Sequence, residues 1–282
     1  MQCAITVSPL TPTFGAEVLG LHPQTVSDSW PQLRDAFRTH RLLVLRDLPL
    51  DEMQFTLLAQ RLGPLEGRYV MRRSDGKASS PVHLIQNLDA DGRVAANPYG
   101  NANYFWHTDK QYHLQPSLAT LLQAMQIPPT GGTTEFADMS AAYEALAPAV
   151  RERIRGLRAV YSYPHMLRTC LKREPTAEEI EKTPPVDHPL VRTHPETGRA
   201  SLFVGMYCCA IVGMPPQESC ALLAQLQAHA TDRRFVYAHA WQPKDLLMWD
   251  NRCLLHRAVA DFDMARYRRV MRRTVVQGEV PV

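Results

Sequence analysis

After residue 80 the chain carries short apolar runs, alternating with polar positions or apolar throughout, bounded by Pro, Gly and Asn. Such runs predict β-strands at 83–88, 118–127, 133–136, 157–163, 190–194, 202–205, 235–241, 245–249 and 268–278. Between two of them, His194-Pro195-Glu196-Thr197-Gly198-Arg199 has the make-up of a hairpin turn. Ahead of residue 80 the period changes back and forth. Residues 28–38 read as a helix, and Leu42-Leu43-Val44-Leu45 as a buried strand. Asp51 followed by Gln54 forms a capping box that opens a helix carrying Phe55, Leu57, Leu58 and Leu62, closed by Gly63-Pro64. Two further helices are predicted at 140–154 and 216–231. Many short antiparallel strands with a few covering helices predict a mainly β jelly-roll barrel.

Length and composition add limits. The 282 residues, 45% hydrophobic and 21% charged, are enough for a sizeable core. No repeat, low-complexity tract or flexible linker divides them, so residues 1–282 are expected to form a single domain. The 31 basic and 28 acidic residues are interspersed and leave a net charge of +3, which gives no footprint for nucleic acid or a membrane surface. The N-terminal stretch lacks a secretory pattern, and no apolar run is long enough to span a bilayer, so a cytoplasmic location is expected. Six cysteines are scattered without C-x-x-C spacing and are expected to be reduced thiols (Cys3, Cys170, Cys208, Cys209, Cys220 and Cys253).

Chemistry enters at Trp106-His107-Thr108-Asp109. On a strand, residues i and i+2 share a face, so His107 and Asp109 can point together into a barrel interior. A lone His-x-Asp also fits a hydrogen-bonded turn. The third element lies far downstream, where His256 follows the apolar strand at 246–249 and the polar turn Asp250-Asn251. Two imidazoles and one carboxylate occupy one face of an octahedron and leave three positions open, which suits non-haem Fe(II) oxygen chemistry. A closed structural zinc site would need a fourth ligand.

These stretches, together with Pro129-Thr130-Gly131-Gly132-Thr133-Thr134-Glu135-Phe136, Met248-Trp249-Asp250-Asn251-Arg252 and His256-Arg257, resemble the taurine dioxygenase and 2,4-dichlorophenoxyacetate dioxygenase family. The resemblance implies a double-stranded β-helix, a cupin-like barrel. It also implies Fe(II) held by His107, Asp109 and His256, with 2-oxoglutarate and O2 as co-substrates and succinate and CO2 as products. The expected outcome is hydroxylation of a small organic substrate, with bond cleavage where the new hydroxyl sits beside oxygen, nitrogen or sulfonate sulfur. Retention of Asp109 disfavours halogenation, since related halogenases lack that carboxylate.

A buried co-substrate carboxylate needs a cation, and arginine grips one with two parallel hydrogen bonds. The last strand offers Arg266, Arg268, Arg269, Arg272 and Arg273. Alternation puts Arg269, Met271, Arg273 and Val275 on one face. The resemblance carries the 2-oxoglutarate arginine onto Arg269, a substrate-facing arginine onto Arg273 and the co-substrate hydroxyl onto Thr134. A one-residue slip would transfer the first role to Arg268. For the substrate, Arg273 suggests a carboxylate or sulfonate. Asn103 matches a position beside the ligands in the family, while Tyr104, Lys110 and Tyr112 flank the metal stretch. Arg68 stands where taurine-specific members carry a histidine, so taurine specificity does not transfer. Family members often form dimers or tetramers, so a homo-oligomer is compatible with the reading.

Two other classes of protein could present the same residues. A metal-dependent hydrolase would use the same triad around zinc, but it leaves Thr134, Arg269 and Arg273 without a role. A non-catalytic 2-oxoglutarate-binding module would not require every ligand position to be intact.

Overall fold

The computed structural model describes residues 5–66, 81–95 and 102–282. Two sheets face one another. The larger has seven strands among the described residues, in the order Thr6–Pro9, Ala16–Leu19, Leu42–Leu45, Leu246–Asp250, Ala119–Gln126, Val270–Val276, Val82–Gln86. Its neighbours are antiparallel except Ala16–Leu19 and Leu42–Leu45, which run parallel. The smaller sheet has Thr134–Asp138 between Val236–His239 and Leu254–Ala258.

Period-2 alternation explains why the large sheet is covered on both sides. Leu42, Val44, Leu122, Leu247, Trp249 and Met271 point at the small sheet and pack with Phe136 and Leu254. Leu43, Leu45, Leu121, Leu246 and Met248 point the other way, onto Leu33, Phe37, Phe55 and Leu58 of the helices Trp30–His40 and Glu52–Gln60. A strand buried on both faces carries an unbroken apolar run, which is what 42–45 has. Each such side chain contributes about 1.5–3 kcal/mol by leaving water. The capping box is formed as expected, with the Gln54 amide donating to Asp51 Oδ1 at 2.8 Å and the Asp51 amide to Gln54 Oε1 at 3.0 Å.

The far face of the small sheet, with Ala137 and Leu255, packs on a third cluster built around Tyr161, Leu202, Phe203, Leu222 and Leu226. The predicted hairpin is present: Val191–Thr193 pairs antiparallel with Ala200–Leu202, and Gly198 takes φ 69° in the turn. The helix expected at 140–154 is two helices, Met139–Glu144 and Pro148–Ile154. Pro148 forces the residue before it out of helical geometry, and Ala147 has ψ 143°. Tyr163, read as a strand end, begins the helix Tyr163–Thr169, because the Ser162 hydroxyl caps the His165 amide at 3.2 Å. Strands Thr6–Pro9, Ala16–Leu19, Val186–Pro189 and Cys208–Ile211 and the helix Ala177–Lys182 were not anticipated.

Buried Arg41 ties the layers together. It ends the first helix in the left-handed region, φ 63°, and its guanidinium meets both oxygens of buried Asp138 at 3.2 and 3.3 Å. Asp138 in turn caps the helix Met139–Glu144 through the Ser140 and Ala141 amides. Cys170, Cys208, Cys209, Cys220 and Cys253 are free thiols, and Cys3 lies outside the described residues. Among the described residues no helix is long and apolar enough to cross a membrane.

Candidate active site

The two histidines meet through their backbones. The His107 amide donates to the His256 carbonyl at 3.1 Å and the His256 amide to the His107 carbonyl at 2.8 Å, an isolated antiparallel bridge. Residues paired in this way project their side chains to one side, and the imidazole centroids lie 4.1 Å apart. His256 sits in the middle of strand Leu254–Ala258. The expectation of a strand through His107 and Asp109 needs correction: only His107 pairs, and Asp109 lies in the following turn. Side chains hold that turn. The Thr108 hydroxyl donates to the Asn251 carbonyl at 2.8 Å, and the Asp109 amide reaches Asn251 Oδ1 at 3.4 Å. Lys110 then takes φ 53°, turning the chain away.

Nε2 of each histidine lies 3.9 Å from Asp109 Oδ1, and the three donor atoms are all within 4.8 Å of one another. A cation bonded at about 2.1 Å to two atoms spans up to about 4.2 Å between them, so these donors fit one ion with small ring rotations. The Phe105 carbonyl, 2.7 Å from His107 Nδ1, requires the proton on that nitrogen and leaves the Nε2 lone pair for a metal. His256 is held by packing, with Trp249 at 4.8 Å and Phe136 at 6.3 Å between ring centroids. Asp109 Oδ2 accepts a short hydrogen bond from the Thr120 hydroxyl, which itself accepts from Asn251 Nδ2 at 2.9 Å. Oδ1 is the oxygen left facing the histidines, and Arg273 Nη2 meets it at 2.5 Å.

Protonation matches metal binding. Burial lowers the His256 pKa well below 6.5, and neighbouring His107 adds to this despite the opposing Asp109 charge. Burial likewise depresses His107, against the pull of Asp109 and the Phe105 carbonyl. Burial would raise Asp109, but Arg273, His256, His107 and the Thr120 hydroxyl together hold it below the usual carboxylate range. The resting set at neutral pH is two neutral imidazoles and one carboxylate, which is the ligand form of each.

Two cavities meet at His107 and Asp109. A tight one of about 40 Å³ is lined by His107, Asp109, Thr134, Trp249, His256, Arg269 and Arg273, among others. A larger one of about 220 Å³ shares Asn103, His107, Asp109 and Arg273 and adds Glu66, His83, Lys110, Tyr112 and Tyr207. Arg269 and Arg273 thus face the same space, whereas Arg268 is exposed and Arg272 donates on the opposite face to the Leu50 carbonyl at 3.0 Å. Arg269 is positioned by its amide on Asn87 Oδ1 at 2.7 Å and by its Nε on the Gly132 carbonyl at 3.2 Å. Gly131 and Gly132, both at positive φ, fold the chain so tightly that a Cβ on Gly131 would lie 2.3 Å from the Asp261 carbonyl oxygen. Burial pulls the Arg269 pKa down to about 10, with Tyr104 and Asp261 opposing, so it remains a cation at neutral pH. This guanidinium and the Thr134 hydroxyl, 3.4 Å apart, fit the distal carboxylate of a dicarboxylate co-substrate.

The remaining candidates divide. Asn103 lines both cavities, and Lys110 and Tyr112 line the larger one. Lys110 is paired there with Glu66, which also accepts from Ser117 at 2.9 Å. Tyr104 lines neither cavity, and its hydroxyl donates to Met264 Sδ at 3.1 Å. Arg68 lies outside the described residues. Sequence reasoning missed Thr120, Asn251, Glu66, His83 and Tyr207. Asn251 was quoted in a family stretch, but only the fold reveals it as the hub joining Thr108, Asp109, Thr120 and Trp249.

A cavity-facing set of two imidazoles and one carboxylate beside a buried guanidinium defines a mononuclear non-haem iron oxygenase site rather than a closed zinc site. The family model for the taurine catabolism dioxygenases TauD and TfdA matches residues 6–275, and the chain belongs to that family. It is a 2-oxoglutarate-dependent dioxygenase that uses Fe(II), 2-oxoglutarate and O2. It is 36% identical to the alpha-ketoglutarate-dependent 2,4-dichlorophenoxyacetate dioxygenase of Cupriavidus pinatubonensis, over 98% of this chain and 99% of that one. It is 34% identical to the (S)-phenoxypropionate/alpha-ketoglutarate-dioxygenase of Sphingobium herbicidovorans, over 99% and 97% of the two chains. Among solved structures, AAD-2 in complex with Mn(II) and N-oxalylglycine superposes with a TM-score of 0.86 at 33% identity, covering 99% of this chain and 98% of that one.

Proposed function

We propose that this chain is a single-domain cytoplasmic hydroxylase, its two facing sheets forming a double-stranded β-helix, that acts on a small organic anion with an aromatic or short apolar body. His107, Asp109 and His256 bind Fe(II), Arg269 and Thr134 bind the distal carboxylate of 2-oxoglutarate, and Arg273 holds the anionic group of the substrate. The carrying observation is the pair of cavities that share His107 and Asp109 of the triad: the tight one also holds His256 and ends on Arg269, and the larger is walled by Arg273 and two tyrosines. Tyr112 packs against Tyr207 at 4.7 Å and Tyr163 at 4.9 Å between centroids, a rigid aromatic wall suited to a ring. Relatives named for 2,4-dichlorophenoxyacetate and (S)-phenoxypropionate support an aryloxyalkanoate as the first class to test.

Bound iron supplies oxygen activation coupled to oxidative decarboxylation of 2-oxoglutarate to succinate and CO2. The protein's residues do the rest. Asp109 stays anionic because Arg273 and the Thr120 hydroxyl stabilise its charge, and the two imidazoles stay neutral because they are buried. Arg273 reaches the larger cavity, so a carboxylate held there sets the adjacent C–H bond beside the triad. Hydroxylating an ether-bearing carbon gives a hemiacetal. Its collapse returns the C–O electron pair to oxygen and yields an alcohol or phenol plus a carbonyl acid.

A panel of aryloxyacetates, aryloxypropionates, alkyl sulfates and taurine, scored by succinate release, tests this. The aryloxyalkanoates should stimulate release most. Replacing Arg273 with Leu should lower kcat/KM for the anion by roughly 10- to 100-fold, the worth of a charge-assisted hydrogen bond. Stimulation by uncharged substrates alone would refute the assignment of Arg273.

A further inference from the structure

We infer that Trp241 is a positioning residue for co-substrate binding, acting through the Thr134 hydroxyl. The inference rests on the assignment of Thr134 and Arg269 to 2-oxoglutarate and adds a residue outside the cavity lining. Trp241 lies two residues beyond His239, whose register partner across the small sheet is Thr134. The indole therefore runs back past the start of Thr134–Asp138, and its Nε1–H donates to Thr134 Oγ1 at 3.0 Å with both residues buried. Arg269 Nη2 approaches the same oxygen at 3.4 Å.

The accounting at that oxygen is restrictive. A hydroxyl has one proton and two lone pairs, and indole N–H and guanidinium N–H groups can only donate. With both lone pairs taken, the Thr134 proton turns toward an acceptor, and a carboxylate beside Arg269 is one. Trp241 thereby presets the hydroxyl as a donor before the dicarboxylate arrives, so no rotor has to be ordered on binding.

The indole is itself held in place. It stands edge-on to buried His239, 4.7 Å between centroids at 89°. His239 Nε2 donates to Asp245 Oδ2 at 3.1 Å, and its Nδ1 accepts from the Tyr237 hydroxyl at 3.2 Å, which fixes the tautomer. Asp245 is anchored by Arg46 Nη1 at 2.6 Å, and Arg46 by Glu17 at 2.6 Å. A chain of polar and ring contacts thus runs from strand Ala16–Leu19 of the large sheet to the co-substrate hydroxyl.

The test is an anaerobic titration of the Fe(II) enzyme with 2-oxoglutarate, followed by the visible metal-to-ligand charge-transfer band, beside steady-state kinetics. Trp241→Phe should weaken 2-oxoglutarate binding by roughly 3- to 10-fold, the worth of one neutral hydrogen bond. It should raise KM for 2-oxoglutarate with kcat little changed. Thr134→Val should cost roughly 10- to 100-fold. In the Thr134→Val background, Trp241→Phe should cost less than about twofold, because the route is already cut. Thr134→Ser should keep the full sensitivity to Trp241→Phe. Normal affinity in both Thr134→Val and Arg269→Ala would overturn the underlying site assignment. A weakened Thr134→Val with Trp241→Phe either silent or additive would overturn the positioning role alone.

Should Trp241→Phe fail to fold, the parent protein carries the test. With Zn(II) in place of iron and 15N-labelled tryptophan, one of the four indole N–H signals should move on Thr134→Val. The same signal should shift in the parent when 2-oxoglutarate is added. A signal that ignores either change overturns the proposal.

Discussion

Among the described residues two buried clusters have the make-up of a metal site, and they differ in one respect. His107, Asp109 and His256 bring their donor atoms within 4.8 Å of one another, and so do His194, Asp250 and Cys253. In the second cluster the protein uses nearly everything. His194 Nε2 donates to Asp250 Oδ2 at 3.0 Å, and its Nδ1 faces the Glu196 and Thr197 amides at 3.2 and 3.3 Å. Asp250 is gripped by Arg252 Nε and Nη2 at 2.9 and 2.7 Å, and Arg252 also meets Glu196 at 2.9 Å. A metal there would have to break bonds already made. In the first cluster Nδ1 of His107 and Oδ2 of Asp109 are engaged and Oδ1 of Asp109 meets only Arg273, while Nε2 of each histidine is turned toward a cavity with its lone pair free for a metal. Residue identity and proximity do not separate a catalytic centre from a structural one, but the balance of lone pairs does.

The largest effects should fall on opposite observables in the two clusters. His107→Ala or His256→Ala should reduce activity by on the order of a thousandfold or more, the several kcal/mol a metal contributes to a transition state. Either should also abolish the anaerobic charge-transfer band while leaving the apo-protein folded. Asp250→Ala should instead remove about 3–5 kcal/mol of stability, since Arg252 and His194 lose a buried partner. Urea melts of the apo-proteins beside activity assays check the contrast. A folded, iron-binding His256→Ala, or an Asp250→Ala as stable as the parent, would break it.

Metal linkage sharpens the same comparison. Ferrous ion at a hundred times its dissociation constant should stabilise the parent by about 2.7 kcal/mol, with one ion bound per chain. Cys253→Ser should keep that gain and that stoichiometry, and His107→Ala should lose both. Two ions per parent chain would mean that the second cluster binds metal after all.

Arg269→Lys comes next in size. A lysine keeps the charge but loses the planar fork and the Nε bond to the Gly132 carbonyl. KM for 2-oxoglutarate should rise roughly 10- to 100-fold with iron affinity unchanged. Arg268→Lys, on an exposed side chain, should be silent.

What could be read ahead of the coordinates follows from how local the signal is. The capping box at Asp51 and Gln54, the strand at 42–45 and the hairpin at 194–199 declare themselves within a few residues, and all three are present. The capping box at Thr176 and Glu179 was equally local and was overlooked, along with the helix it opens. Strand Cys208–Ile211 pairs with Arg158–Tyr161 across two intervening helices and three strands, so nothing near either strand announces the pairing. At the site, alternation along the last strand was enough to separate Arg269 and Arg273 from Arg272. Trp241, Thr120 and Asn251 act through hydrogen bonds between segments more than 100 residues apart, and only the register of the sheets brings them together.

The smallest effect concerns acid. Burial pushes the Asp250 carboxyl up, but Arg252 and His194 more than compensate, and its pKa in the folded chain lies below the ordinary 3.8. A carboxylate depressed by folding contributes stability that is fully present above its unfolded pKa and is lost as pH falls toward the folded value. The stability gap between the parent and Asp250→Asn should therefore hold constant from neutrality down to about pH 4 and shrink below that, by about 1–2 kcal/mol. The amide oxygen can keep the His194 and Arg252 Nη2 contacts, but the NH2 group faces the Arg252 Nε and backbone N–H donors; that loss is present at every pH, so the part of the gap that disappears with acid reports the charge on Asp250. Measuring both proteins by urea unfolding in the metal-free form, at several pH values between 7 and 3, isolates that charge from iron release. A gap that persists undiminished at the acid end would mean that the clamp on Asp250 acts through hydrogen-bond geometry alone. The two clusters would then differ in how their lone pairs are spent but not in the electrostatic strength with which their carboxylates are held.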